Sequence, residues 1–173
     1  MTLERIRALI HDVPDFPKPG IVFKDITPLL EDPNGFRETI ERLADSAESL
    51  RAERILAIES RGFIFGGALA LRLGLPMHLV RKRGKLPREA LSVRYELEYG
   101  FDHLEVHADA IPAGSRCLIV DDLIATGGTA AATAMLARRQ QGVVAGFAFV
   151  VELAFLNGRK ALGDDPIIAL VDY

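Results

Sequence analysis

The stretch CLIVDDLIATGGT, residues 117–129, decides how the rest of the sequence is interpreted. It begins with an apolar run, Cys117 to Val120, that ends at two adjacent carboxylates, Asp121 and Asp122. A continuous apolar run is typical of a strand that is covered on both faces of a parallel sheet. The glycines and threonines that follow allow a tight turn into a helix, whose unpaired N–H groups can bind an anion. The stretch therefore predicts a strand, an anion-binding turn and a helix.

Four further apolar runs have the same character and predict strands at about 54–59, 76–80, 143–151 and 167–171. Helical periodicity near 63–73 and 129–141 separates some of them. Alternation of strands and helices predicts an α/β fold, with a mainly parallel central sheet flanked by helices. Ligands of such sheets bind beyond the carboxyl ends of the strands, which is where the pair of aspartates is expected.

Two segments depart from this alternation. The N-terminal part, about 1–33, combines a short amphipathic helix with a proline-rich extended stretch, and we expect it to form a small hood. Residues 81–114 are polar and lack helical periodicity, so they predict an irregular insertion with a flexible lid loop at about 83–105. We treat residues 1–173 as a single domain.

Composition excludes several classes of protein. The 173 residues carry a formal charge of -3, which argues against a general nucleic-acid binder. Cys117 is the single cysteine, so neither a disulfide framework nor a cysteine-based zinc site is expected, and we interpret it as a buried apolar residue. No apolar stretch approaches the roughly 20 residues that span a bilayer. We predict a cytoplasmic protein with no membrane partner.

The aspartate pair and the turn after it together suit a ribose 5-phosphate. Carboxylates accept hydrogen bonds from the sugar diol, and the turn binds the phosphate at the other end of the sugar. The predicted phosphate-binding residues are Ala125, Thr126, Gly127, Gly128 and Thr129. For either motif alone, an acidic turn before an ordinary helix cap is an equal alternative. Nucleotide motifs of the G-x-x-x-x-G-K-[ST] and strand-linked G-x-G-x-x-G types do not occur.

Several other motifs, spread over almost the whole chain, stand in an order and spacing that resemble a known family. They are FPKPGIVFKDIT (16–27), ESRGF (59–63), RKRGKLP (81–87), YELEYG (95–100) and VEL (151–153). Together with VDDLIATGGT they resemble the type I phosphoribosyltransferases, and among these the enzymes that use adenine. The resemblance implies transfer of phosphoribosyl from phosphoribosyl pyrophosphate to N9 of adenine, giving AMP and pyrophosphate.

The resemblance also implies roles for charged residues. A guanidinium at a helix start and a basic run at a strand end suit pyrophosphate, which assigns this group to Arg61, Arg81, Lys82 and Lys85. The resemblance makes Glu98 the residue that manages the purine proton, with Tyr99 beside it and Arg61 as a further catalytic residue. Closure of the lid would keep water from the activated sugar.

Base recognition is assigned to the hood. By resemblance, the Val22 backbone reads the adenine edge, Phe23 stacks on the ring, and Leu123 or Leu153 covers the other face. Lys24 joins this adenine-binding set, although arginine is commoner at the matching position, which leaves its role open. Ala90 likewise stands where the family often has threonine.

Magnesium is expected through the substrate's own oxygens near Asp121 and Asp122 rather than through a direct protein cage. The basic run can reach a neighbouring site in similar enzymes, which implies a homodimer. Two alternatives stay open: the same chemistry on another purine base, and a non-catalytic nucleotide-sensing regulator on this fold.

Overall fold

The computed structural model describes residues 2–96 and 100–173. In chain order the elements are α1 (Leu3–Ala8), β1 (His11–Pro14), β2 (Val22–Asp25), α2 (Thr27–Glu31), α3 (Pro33–Ala47), β3 (Arg54–Ile58), α4 (Gly62–Leu73), β4 (Met77–Lys82), β5 (Ala90–Glu96), β6 (Phe101–His107), β7 (Arg116–Ile124), α5 (Gly128–Arg139), β8 (Val143–Glu152) and β9 (Ile167–Asp172). Short 3-10 turns lie at Glu48–Leu50, Ala154–Leu156 and Gly158–Leu162.

A seven-stranded sheet in the order β5-β6-β4-β3-β7-β8-β9 forms the centre of the molecule. The strand pairs from β4 to β9 are parallel, as predicted. All five predicted strands are present, and so are the helices predicted near 63–73 and 129–141. The α/β fold class is therefore confirmed.

Apolar side chains cover both faces of this sheet. Alternate residues of β3 lie in different cores: Leu56 and Ile58 belong to the core with α5, while Ile55 and Ala57 belong to the core with α3 and α4. This two-sided burial explains why the central strands are continuous apolar runs. Cys117 is fully buried in the α5 core, as predicted.

The predicted irregular insertion is wrong over residues 90–96 and 101–107, which form two strands. Strands β5 and β6 pair antiparallel with each other, and β6 joins the sheet at Arg81 and Lys82 of β4. At the sheet edge, Val93, Leu104 and Val106 are buried and alternate with more exposed residues. An edge hairpin has this period of two, which a search for continuous apolar runs does not detect.

Strand ends also differ from the prediction. β7 continues to Ile124, which pairs with Glu152 of β8, so Asp121 and Asp122 lie within the strand rather than after it. β4 likewise extends through Lys82. Near the N-terminus, β1 and β2 form a separate two-stranded antiparallel sheet, the hairpin of the predicted hood.

Candidate active site

The predicted phosphate loop lies between β7 and α5. Gly127 adopts φ +83 at the start of α5, and a Cβ built on it would lie 2.3 Å from the carbonyl oxygen of Gly158. No side chain within residues 2–96 and 100–173 caps this helix. Its first N–H groups are therefore free to bind an anion, and the helix dipole favours negative charge there.

A second glycine supports this loop from below. A Cβ on Gly158 would lie 2.3 Å from the carbonyl oxygen of Ala125 and 3.0 Å from Cγ1 of Ile124. Next to it, the Arg159 guanidinium donates to both carboxylate oxygens of Glu152 at 2.6–2.9 Å. The segment after β8 thus forms a close-packed floor for the phosphate loop.

The two aspartates differ in their surroundings. Asp122 is 3% exposed, and its backbone N–H donates to Asp121 Oδ1 at 2.9 Å. Burial and the neighbouring Asp122 charge raise the pKa of Asp121 well above its usual value. A Cβ on Gly62 would come within 2.8 Å of Asp121 Oδ1, so the start of α4 approaches the pair as closely as a glycine allows.

Arg61 connects the aspartates to the hood. Its Nε lies 2.8 Å from Asp122 Oδ2, while its Cζ lies 5.1 Å from the ring centroid of Phe23. The Arg61 N–H is not aligned with Oδ2, and no other group of the described chain donates to this buried oxygen. Oδ2 is therefore a solvent-inaccessible acceptor that lies against the Arg61 charge without an aligned hydrogen bond.

The basic residues predicted to bind pyrophosphate contact a carboxylate, Glu59, for which the sequence predicted no role. Glu59 accepts hydrogen bonds from the Lys85 ammonium, from the Lys82 N–H at 3.0 Å and from Arg81 Nε at 3.3 Å. Burial raises the pKa of Glu59, but these donors outweigh it and hold the pKa below its usual value. Glu59 therefore pairs with the Arg81 and Lys85 charges that are predicted to meet pyrophosphate.

Lys82 has a second carboxylate partner on the edge hairpin. Its ammonium pairs with Asp102 of β6, which raises the pKa of Lys82 and lowers that of Asp102. The basic run is thus connected to the hairpin that carries the predicted lid. Arg83 of the same run is exposed.

Two adjoining cavities contain most of the predicted residues. The larger, about 420 Å³, is lined by Glu59, Ser60, Arg61, Lys82, Tyr95, Leu104, Asp121, Asp122 and Thr129. The smaller, about 100 Å³, is lined by Asp121, Leu123, Ile124, Ala125, Thr126, Gly127, Gly128, Thr129, Ala130 and Phe149. Asp121 and Thr129 belong to both, as expected of one ligand with a sugar part and a phosphate part.

The predicted base contacts are distributed around these cavities. Phe23 packs edge-on against Phe16, with ring centroids 5.1 Å apart, and Val22 is half exposed. Leu153 donates its N–H to the Ile124 carbonyl at 3.0 Å, which places it beside the end of β7. Lys24 instead directs its ammonium to Asp12 and to the ring of Tyr173. Its contact with adenine stays a prediction.

Glu98 and Tyr99 lie outside the described residues, so their roles stay predictions. The flanking strand β5 packs on α5, and a Cβ on Gly128 would lie 3.5 Å from the Glu96 carbonyl oxygen. The described end of the hairpin therefore reaches the phosphate loop.

The described residues also bear on metal binding and on membrane insertion. Within residues 2–96 and 100–173, no group of three or more histidine, cysteine or acidic side chains could hold a metal ion. None of the helices in these ranges is long and apolar enough to cross a membrane.

An uncapped helix start after a parallel strand, next to a buried acidic pair, is the arrangement expected for a class of proteins that bind sugar phosphates. Residues 29–164 match the model of the phosphoribosyl transferase domain, and the chain belongs to this family.

Individual relatives are similar over nearly the full length. The adenine phosphoribosyltransferase of a Synechococcus species is 56% identical, and the match covers 97% of this chain and 98% of that protein. The crystal structure of adenine phosphoribosyltransferase from Thermoanaerobacter pseudethanolicus has a TM-score of 0.97 at 52% identity, covering 99% of this chain and 100% of that one. The Saccharomyces cerevisiae enzyme, complexed with an imino-altritol bisphosphate and adenine, has a TM-score of 0.91 at 41% identity, with 97% of each chain covered.

Sequence interpretation missed the supporting residues Glu59, Asp102 and Gly158. Glu59 is the first residue of the motif ESRGF (59–63). Its position between a buried strand and Arg61 could have indicated a role in the site. Asp102 reaches the site because β6 lies next to β4, and Gly158 reaches it because the segment after β8 packs under the phosphate loop. No local sequence pattern indicates either contact.

Proposed function

We propose that this chain transfers the 5-phosphoribosyl group of phosphoribosyl pyrophosphate to N9 of adenine. The C1′–O bond to pyrophosphate breaks, the C1′–N9 bond forms with inversion at C1′, and the N9 proton is removed. The products are AMP and pyrophosphate, which makes the reaction a step of purine salvage.

The observation that carries this proposal is the contact chain Phe23–Arg61–Asp122 beside the phosphate loop. It brings a hood aromatic within 5.1 Å of the Arg61 guanidinium, and that guanidinium within 2.8 Å of a buried carboxylate. A base, a pyrophosphate and a ribose can therefore bind side by side, which is the geometry that a transfer between them needs.

The sugar phosphate would bind at both ends. Asp121 and Asp122, which both line the larger cavity, accept hydrogen bonds from the ribose hydroxyls. The N–H groups of the loop at 126–129 and the Thr126 and Thr129 hydroxyls bind the 5′-phosphate. Holding both ends fixes C1′ between the base and the leaving group.

The leaving pyrophosphate would be received by Arg61, Arg81, Lys82 and Lys85. The last three exchange Glu59 and Asp102 for phosphate oxygens, or share them, when substrate binds. Glu98 takes the purine proton and stabilises the positive charge that develops on the sugar, with Tyr99 beside it. Closure of the hairpin tip over the site would exclude water.

Mg²⁺ fits the residues present as a substrate-borne ion. Asp121 and Asp122 are adjacent carboxylates that line the larger cavity, so they would hold oxygens or waters bound to the ion. When bound, the ion supplies neutralisation of the pyrophosphate charge. We further propose a cytoplasmic homodimer.

Steady-state assays with each purine base test the proposal. We expect adenine to be turned over with phosphoribosyl pyrophosphate, and hypoxanthine, guanine and xanthine at least 100-fold more slowly, since a 6-oxopurine presents an acceptor where adenine presents a donor. In the same assay, Glu98→Gln should lower kcat by about 100-fold or more. Comparable turnover of hypoxanthine would contradict the adenine assignment, and no turnover of any base would favour the regulator alternative.

A further inference from the structure

Lys24 lies in the hood strand β2, but its side chain contacts the body of the molecule rather than the base cavities. The ammonium lies 3.6 Å from the ring centroid of Tyr173, well inside the range of about 6 Å for a cation–π contact. The Lys24 side chain is only 9% exposed. This charge is therefore largely removed from water and lies between the Asp12 carboxylate and the Tyr173 ring.

Tyr173 is itself fixed to the end of the main sheet. Its N–H donates to the Glu152 carbonyl and its carbonyl accepts from the Ala154 N–H, both at 2.9 Å. These two bonds flank Leu153, which is predicted to cover one face of the base. The Tyr173 hydroxyl also donates to the Arg7 carbonyl at 3.4 Å. Burial raises the pKa of Tyr173, which is consistent with an enclosed ring.

Successive side chains of a strand point to opposite sides, and β2 is held on both. Phe23 faces Arg61, whose Cζ lies 5.1 Å from the Phe23 ring centroid. On the other side, Lys24 faces Tyr173. Across the hairpin, Asp12 is the register partner of Lys24 and pairs with its ammonium, but the Asp12 side chain is 56% exposed.

We propose that the Lys24–Tyr173 contact positions the hood strand over the base site, so that the Lys24 side chain positions the adenine-binding residues and does not itself contact the base. This rests on the proposed function. The contact joins the strand that carries Val22 and Phe23 to the strand end that carries Leu153, and so sets the width of the slot between the two proposed faces of the base.

Kinetics of matched variants test this role. We expect Lys24→Met, which keeps an unbranched apolar stem without the charge, to raise the KM for adenine about tenfold, equivalent to about 1.4 kcal/mol. The KM for phosphoribosyl pyrophosphate and kcat should stay within twofold. Tyr173→Leu should raise the KM for adenine at least as much, since it also removes the Arg7 contacts of the ring and the hydroxyl. The double variant should be no worse than Tyr173→Leu alone, because the Lys24–Tyr173 contact is already lost in that variant.

Conservative variants provide the controls. Lys24→Arg and Tyr173→Phe keep a cation over a ring and should stay within about twofold of the parent chain. Asp12→Asn removes only the exposed ion pair, so its KM for adenine should also stay within about twofold of the parent chain. Equal KM values for adenine in Lys24→Met and the parent chain, or a loss in kcat alone, would overturn the proposal.

Hydrogen exchange of residues 11–25 separates this proposal from the proposed function. Lys24→Met and Tyr173→Leu should both exchange faster in this hairpin, while Asp12→Asn should not. Faster exchange without adenine turnover by the parent chain would reject the proposed function and keep the positioning role. Turnover with unchanged exchange and unchanged KM would reject the positioning role alone.

Discussion

At the scale of single residues, Asp121 and Asp122 show a conflict between stability and binding. Two adjacent carboxylates near the end of β7 suit a sugar diol, but their charges repel each other and burial desolvates Asp121. The pKa of Asp121 is raised by burial first and by Asp122 second. The folded state therefore binds this proton more tightly than the unfolded chain, so stability falls as pH rises from the unfolded pKa towards the folded one.

Asp121→Asn should therefore stabilise the free protein at neutral pH while damaging its activity. We expect the Tm at pH 7.5 to rise by a few degrees, since each kcal/mol corresponds to roughly 2–4 °C in a chain of this size. The difference should shrink near pH 4, where the parent carboxyl is protonated. The kcat/KM for phosphoribosyl pyrophosphate should fall about 10- to 100-fold, because an amide replaces a charged acceptor.

The control is Asp164→Asn, which makes the same change in net charge at an exposed position. It should change neither the Tm nor the kcat/KM for phosphoribosyl pyrophosphate. Calorimetry at the two pH values and steady-state kinetics measure both effects. A Tm difference between Asp121→Asn and the parent chain that is the same at pH 4 and pH 7.5 would contradict the assigned proton linkage.

At the scale of elements, the phosphate loop depends on a segment that never touches the predicted ligand. The loop lies between β7 and α5, and the turn at Gly158–Leu162 packs against its backbone through two glycines. Contacts of this kind leave no space for a Cβ, and overpacking costs about 1–3 kcal/mol. The conformation of the phosphate loop is therefore determined partly by the turn at Gly158–Leu162.

Gly158→Ala should displace the loop and weaken phosphate binding. The new Cβ would stand 2.3 Å from the Ala125 carbonyl oxygen, so the loop or the floor must shift. We expect the KM for phosphoribosyl pyrophosphate to rise about tenfold with little change in the KM for adenine. Lys160→Ala, exposed on the same segment, is the control and should leave both unchanged. An unaltered KM in Gly158→Ala, measured on folded protein, would show that the floor does not shape the loop.

At the scale of the whole molecule, two apolar cores cover the sheet, yet one helix keeps an apolar stripe at the surface. Leu71 is 86% exposed and Ile64 is 41% exposed. They are seven residues apart on α4, so they lie on one face of the helix. Exposed apolar residues in a group indicate a contact surface, and α4 begins directly at the Arg61 site.

We therefore expect the proposed dimer to use this face of α4. Light scattering should give about twice the chain mass of 18.9 kDa, and Leu71→Glu should shift the mass towards one chain. Met135→Glu places the same charge on α5, away from this stripe, and should leave the dimer intact. A Leu71→Glu protein that remains fully dimeric would place the interface elsewhere.

The sequence by itself determined the fold class and the phosphate loop of this protein. The central strands are buried on both faces, so their sequences are continuous apolar runs. The loop is predicted to bind an anion through consecutive N–H groups, so its residues are neighbours in the chain. The edge hairpin was missed because its strands alternate, although its YELEYG motif was recognised.

Only the tertiary structure decided which distant residues support that local site. Glu59 meets Lys85, Gly158 meets Ala125, and Lys24 meets Tyr173 because the sheet order brings their elements together. The partners in these contacts are 26, 33 and 149 positions apart, counted from the residue numbers. No local pattern encodes such a pairing, since each residue type is equally compatible with an ordinary surface or turn position until its partner is known.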